Sequence, residues 1–206
     1  MKRATSSAAI VAGLLSLVAP GCSQMDMGDD AKVELNLMDA PPAGVTSVVL
    51  QIKSVAVHVD DDSAVSSATD DKIDGDAKWH TLAVDQAIDL VKLQGESAAT
   101  TLGTLVVPMG KITQIRLVLD TTKKSTVAFD EAGSPKTCDL DVSKLPATGI
   151  KISHTFKAFA SDMNKTTQIW LDYELGTGLE KGTACYALKP VLKLFKVKAG
   201  GMDVGM

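Results

Sequence analysis

The chain has 206 residues, with 21 Lys and Arg against 25 Asp and Glu and a formal net charge of −4. That balance disfavours nucleic acid, whose phosphates need a basic surface. With only 4% aromatic residues, any core must be built mainly from Val, Leu and Ile.

Lys2 and Arg3 precede an apolar run from Ala8 to Ala19, and Pro20-Gly21-Cys22 follow. A basic start, a short apolar stretch and a small residue before a cut describe a secretory signal. The run is too short for a permanent helical span. A cysteine directly after the cut fits a lipobox, although Ala19 stands where Leu is usual. Cys22 is therefore the expected lipidation site, and residues 1–22 the signal peptide. Ser23 follows, where enterobacterial proteins retained at the inner membrane carry Asp, so the expected location is the outer membrane. Removing residues 1–22 takes Lys2 and Arg3 and no acid, which leaves a net charge of −6. Membrane contact is then expected through the lipid rather than through basic docking. Residues 23–31, acidic and non-periodic, read as a flexible tether.

The ordered region is expected from Lys32. Val33, Leu35 and Leu37 alternate with polar neighbours as in a strand, and Asp39-Ala40-Pro41-Pro42 stops it. In the next run Leu50 and Ile52 share one face, whereas Val55, Val57 and Val59 share the other. A phase change near Ser54 predicts a β-bulge or a strand that changes sheets. Residues 60–76 form a polar, acidic loop. A strand over Lys78 to Val84 follows, anchored by Trp79. Ile88, Leu90 and Leu93 fit either a short strand or a helical turn. Leu102 to Val107 is a strand, Pro108-Met109-Gly110 a turn, and Ile115, Leu117 and Leu119 alternate again.

Thr126–Phe129 and Thr137–Val142 read as a hairpin around the turn formers from Asp130 to Pro135. Gly149 opens Ile150-Lys151-Ile152, and Phe156–Ala160 is short and apolar. Ile169, Leu171, Tyr173 and Leu175 alternate with Trp170, Asp172 and Glu174. Leu188, Leu192 and Leu194 belong to a last strand, with Pro190 marking an edge or a bulge. Residues 198–206 read as a frayed tail. Many short strands without a long helical period predict one all-β domain over 32–197. The expected architecture is an antiparallel β-sandwich, immunoglobulin-like or transthyretin-like.

With Cys22 assigned to lipid, Cys138 and Cys185 remain. An even remainder in an oxidising compartment predicts one disulfide; two buried free thiols on separate strands are the alternative.

Chemistry-bearing residues are sparse. The chain has no nucleophile elbow and no Gly-rich phosphate loop. His58 and Asp60 share a strand face at spacing two, which could bring two metal ligands together, while His80 and His154 stand apart. Asp60, Asp62, Asp70, Asp71, Asp74 and Asp76 could gather around calcium, although their spacing follows no EF-hand pattern. A solvated acidic loop needs no metal, and no cofactor is expected. Asp172 and Glu174 flank Tyr173 on one face, the arrangement of an acid–base pair and equally of a wet strand face. Trp170 is expected to face outward and is the candidate for ligand stacking.

Several segments occur in a particular order: VELNLMDAPPAGVTSVVLQIKSVAVH (33–58), WHTL (79–82), IDLVKLQG (88–95), LGTLVVPMGKITQIRLVL (102–119), GIKI (149–152), LDYE (171–174) and YALKPVLKL (186–194). Together they resemble the prokaryotic lipoprotein family catalogued as domain of unknown function 4382, over roughly residues 32–197. The resemblance implies a secreted, often lipid-anchored β-sandwich, and it brings no catalytic residues. Asp39, as an acceptor of backbone hydrogen bonds, and Gly110, as a turn former, read as fold-making positions within it.

The sequence thus predicts a non-enzymatic, lipid-anchored envelope protein acting as a binding or structural module. Its expected partner is an envelope protein or polysaccharide. A carbohydrate-binding module, marked by a row of exposed aromatics, and a calcium-dependent adhesion module are the alternatives.

Overall fold

The computed structural model describes residues 30–40, 42–60, 78–152 and 166–204. Cys22, the acids Asp61 to Asp76, His154 and the Phe156–Ala160 segment lie outside the described residues. The strands are β1 (Asp30–Met38), β2 (Val45–Asp60), β3 (Trp79–Asp89), β4 (Thr100–Pro108), β5 (Lys111–Leu119), β6 (Thr126–Glu131) and β7 (Ser134–Asp139). They continue with β8 (Ile150–Lys151), β9 (Thr166–Tyr173), β10 (Leu179–Lys181), β11 (Tyr186–Leu188), β12 (Leu192–Ala199) and β13 (Met202–Asp203). One helical turn, α1 (Leu175–Gly178), follows β9, and 3-10 turns occupy Leu90–Lys92 and Glu96–Ala98.

Two sheets pack as a predominantly antiparallel β-sandwich. The first runs β13-β12-β9-β1-β4 and the second β7-β6-β2-β5-β8, with β3 paired to β2 as well; β10 and β11 form a small ribbon. A single apolar cluster fills the space between the sheets. Val33, Leu35, Leu37, Ile169 and Leu171 come from the first sheet, and Val48, Leu50, Ile52, Val55, Val57, Ile115 and Leu117 from the second. One pairing departs from the antiparallel expectation: β1 and β9 run parallel, with Lys32 opposite Thr166 and Leu37 opposite Leu171.

β2 organises the second sheet. β3 pairs along one of its edges, from Val49 to His58. On the other edge β6 takes Val45–Val49 and β5 takes Ile52–Asp60. Between these two partners, Gln51 is served by the β5–β6 loop: its carbonyl accepts from the Asp120 N–H at 2.7 Å, and its N–H donates to Ser125 Oγ at 3.2 Å. The register shifts between Ile52 and Ser54 in both ladders, and against β5 Lys53 is the extra residue. Leu50, Ile52, Val55, Val57 and Val59 therefore all reach the core. That is the bulge expected from the phase change near Ser54.

The differences from expectation have local causes. β1 starts at Asp30, inside the expected tether, because the Ala31 methyl is buried opposite Val107. The expected long last strand is broken at Pro190, which lies between β11 and β12. Lacking an N–H, proline cannot continue a ladder there. Residues 198–204 are not a frayed tail. Gly200 and Gly201, at φ +57° and +82°, fold β13 back onto β12, with Ala199 opposite Met202. Leu175 leaves the β9 alternation to open α1.

The β6–β7 hairpin is tighter than expected. Asp130 and Pro135 are paired strand residues, and the turn consists of Ala132 and Gly133 alone, at φ +51° and +80°. Two positive φ values match the right-handed strand twist, but a Cβ resists the left-handed region. Ala132→Gly is therefore expected to stabilise the fold by up to about 1 kcal/mol. Denaturant melts of the two proteins check this.

Candidate functional site

The outward face of β2 carries His58 and Asp60, and both are buried, at 3% and 1% exposure. Neighbouring strands build the surroundings. Trp79 of β3 lies opposite His58 in the ladder, and their rings meet edge to face at 5.0 Å. Arg116 of β5, fully buried, places its guanidinium carbon 4.5 Å from the Trp79 ring centre and donates from Nε to Gln114 Oε1 at 2.7 Å. A second register shift makes Thr113 the extra residue of β5 and brings its Oγ1 to 2.6 Å from His58 Nδ1. Asp60 Oδ1 accepts from Lys78 Nζ at 2.7 Å, while Asp60 Oδ2 lies 3.8 Å from His58 Nδ1.

Thr, His and Asp so placed suggest a nucleophilic triad, but the geometry is wrong for one. A relay needs the hydroxyl on one ring nitrogen and the carboxylate on the other. Here Thr113 and Asp60 both address Nδ1. The cluster is better described as a buried cation–π and ion-pair layer that clamps β2, β3 and β5 together.

It also explains Gly110. This glycine has no left-handed φ; instead, a Cβ there would lie 2.6 Å from the Asp60 carbonyl oxygen. Gly110→Ala must push the β4–β5 turn off β2. It is expected to destabilise the protein by about 1–3 kcal/mol, the usual cost of overpacking, readable in a chemical melt.

His80 lies opposite Val57, so its ring leaves by the face opposite to that of His58. Burial holds its pKa below the ordinary histidine value, and nearby His58 lowers it further. The two rings do not converge on a metal. Among the described residues, no three His, Cys, Asp or Glu side chains do. Of the proposed calcium ligands only Asp60 is described, and it is engaged by Lys78. Asp62, Asp70, Asp71, Asp74 and Asp76 lie outside the described residues.

Trp170 faces outward as expected, but it is covered. It is on the outer face of its sheet, yet only 8% exposed. Lys198 and Lys196, from adjacent β12, lay their ammonium groups 5.3 and 6.0 Å from its ring centre. Both lysines reach on to Glu96. Long aliphatic stems cover an apolar ring while their heads stay wet. Trp79 and Tyr173 are also buried, so the described aromatics form no exposed row.

A second polar group lies where β1 ends. Asp39, 1% exposed, accepts the Leu175 N–H on Oδ1 at 3.0 Å and so ties the first strand to α1. Its Oδ2 is buried without a hydrogen-bond partner among the described residues, as is Oδ1 of Asp172. Burial pushes the Asp39 pKa up to about 6. The Leu175 and Ala40 N–H groups oppose the rise, and the Asp172 charge adds to it. Asp172 is likewise raised, by burial first and then by Glu174. Glu174 moves the other way because Lys193 pairs with it. Tyr173, between the two acids in sequence, turns inward and donates its hydroxyl to the Lys189 carbonyl at 2.8 Å.

A carboxyl with a raised folded-state pKa gives its full stabilisation below its unfolded value, and loses it as pH rises through the folded value. The Asp39 contribution to wild-type stability should therefore fall as pH rises from its ordinary value of 3.8 through about 6. Asp39→Asn keeps an acceptor for Leu175 and removes the titration. The gap between variant and wild type should widen in the variant's favour with rising pH, by about 2–4 °C per kcal/mol. A gap that is constant with pH would show that Asp39 does not titrate in this range.

Cys138 of β7 and Cys185, just before β11, are joined in a disulfide with α-carbons 6.0 Å apart. The bond closes a separation of 47 residues. On chain-entropy grounds it stabilises the fold by about 4 kcal/mol.

This disulfide-stapled β-sandwich has counterparts among known sequences. The chain belongs to the family described as Domain of unknown function (DUF4382), whose model matches residues 30–190. No curated protein matches it. Among solved structures, one similar chain is described as a "putative cell adhesion protein" from Bacteroides ovatus ATCC 8483, at 8% identity. The match covers 86% of this chain and 47% of that one, so this chain spans about half the length of that protein. The TM-score is 0.21, which carries no argument about fold or activity.

Proposed function

We propose that the chain is a non-enzymatic binding or structural module of the cell envelope, held at the outer membrane by lipid on Cys22. The observation that carries this reading is the Cys138–Cys185 disulfide. Such bonds persist in oxidising compartments outside the cytosol, where the Lys2-to-Cys22 signal would deliver the chain. The shared use of His58 Nδ1 by Thr113 and Asp60 supports a structural role for this triad-like grouping. Binding, to an envelope protein or polysaccharide, then falls to loops and surface cavities of the rigid sandwich. The carbohydrate-module reading is weakened, because Trp170 is roofed by lysines rather than presented as a platform.

Cys22→Ser is expected to abolish incorporation of labelled fatty acid and to move the protein out of the detergent phase. Unchanged partitioning of the variant would refute the anchor. In the same extracts, Cys138 and Cys185 should resist alkylation after unfolding until a reductant is added. Free thiols before reduction would remove the compartment argument.

A further inference from the structure

Beside β5, the sandwich contains a half-open cavity of about 410 Å³ that none of the clusters above uses. Its floor is Leu117 of β5 and Ile150 of β8, and its wall is the loop between β7 and β8, with Leu140, Leu145 and Pro146. The volume lies in the range of small-molecule sites. Leu117, Leu140 and Ile150, at 0%, 5% and 1% exposure, back the cavity from within the core, while half-buried Leu119, Val142 and Leu145 present its accessible aliphatic surface.

The wall is pre-built rather than collapsed by chance. Leu140 N–H donates to Ser125 O at 2.9 Å and Asp141 N–H to Tyr186 O at 2.9 Å. Further along, Leu145 N–H donates to Val142 O and Gly149 N–H to Pro146 O, both at 3.0 Å. Gly149, at φ +95°, brings the loop so close to β5 that a Cβ would lie 2.9 Å from the Val118 side chain. The Cys138–Cys185 bond fixes the start of the same loop two residues before Leu140.

The rim supplies the selectivity. Thr121, Asp141 and Ser143 are the polar members of the lining, and all three are exposed. Asp141 is the one charged residue among the described lining residues. Its Oδ1 accepts the Ser143 N–H at 2.9 Å, and Ser143 holds the carboxyl below the usual range, so it is ionised at neutral pH. Lys144, next in sequence to Ser143, pairs with Glu180 at 3.3 Å. The lining has no aromatic ring to stack a sugar or base, and no cation to hold a carboxylate or phosphate.

We infer that this cavity binds a small aliphatic amphiphile with a cationic head, of the alkylammonium class. The tail lies over Leu119 and Leu145, and the head sits at Asp141. The inference stands on the cavity and does not need the lipid anchor.

Titration calorimetry on the full chain with n-butyl-, n-hexyl- and n-octylammonium and the matched carboxylates tests it. Ammonium affinity is expected to rise about fourfold per methylene while the tail fits. Carboxylates of equal length should bind more weakly. Ala147→Trp, at an exposed loop position on the rim, should plug the cavity and abolish binding, and it controls for partition elsewhere. Asp141→Asn keeps the acceptor for Ser143 and should erase the ammonium preference while keeping the length dependence. Absence of saturable ammonium binding overturns the inference, as does binding that survives Ala147→Trp. Carboxylates that bind as well as ammonium ions, or a preference that survives Asp141→Asn, overturn the assignment of the head.

Discussion

The fold depends on one inserted residue. β2 is long enough to cross the whole second sheet, and its apolar residues change face midway. Without the extra residue at Lys53, Val55, Val57 and Val59 would point away from the core wherever Leu50 and Ile52 pointed in. At about 1.5–3 kcal/mol for each buried aliphatic side chain, that slip would cost on the order of 5–9 kcal/mol. The whole stability of a domain is about 5–15 kcal/mol, so the alternative register is not competitive. β3 answers the bulge with its own irregularity, two residues at Val84 and Asp85, the latter at φ +48°. The same phase change sets His58 and Asp60 on the opposite face, where Trp79 and Arg116 enclose them.

Much of this was legible in the sequence because it is periodic. A period-two pattern reports its own phase, so the break near Ser54 could be read without a structure. The β1, β4, β5 and β9 patterns could be read the same way. Pairing partners could not be read so. Nothing in the alternation of Val33, Leu35 and Leu37 distinguishes a parallel neighbour from an antiparallel one. Pro190 signalled an interruption correctly, but whether a strand bends or ends depends on what its two halves pair with. Here they pair with β10 and β9, in separate sheets.

The polar clusters were harder, because burial on an outer sheet face has no sequence period. Arg116 occupies the polar place in Ile115-Arg116-Leu117 and reads as a solvated residue, yet it is fully enclosed. Trp170 alternates outward as expected, and only the β12 register shows that Lys196 and Lys198 cover it. Asp39 was legible as an acceptor of backbone hydrogen bonds. Its donor, Leu175, lies 136 residues away and could not be named. Asp141 and Val142 read as the end of a hairpin strand, but the strand stops at Asp139 and they open the loop that runs to Gly149. Its role as a cavity wall comes from backbone hydrogen bonds that leave no side-chain signature.

The parallel pairing of β1 with β9 bears on how the molecule comes into being. β1 lies between β4 and β9 in the first sheet, and its partner in β9 begins at Thr166. A growing chain therefore carries β1 with one edge unsatisfied until more than four-fifths of the sequence is available. Such long-range pairing must pay its loop-closure entropy before any contact rewards it, so the first sheet closes late and slowly. Until then any chaperone that handles the nascent chain meets an open β edge rather than a finished domain.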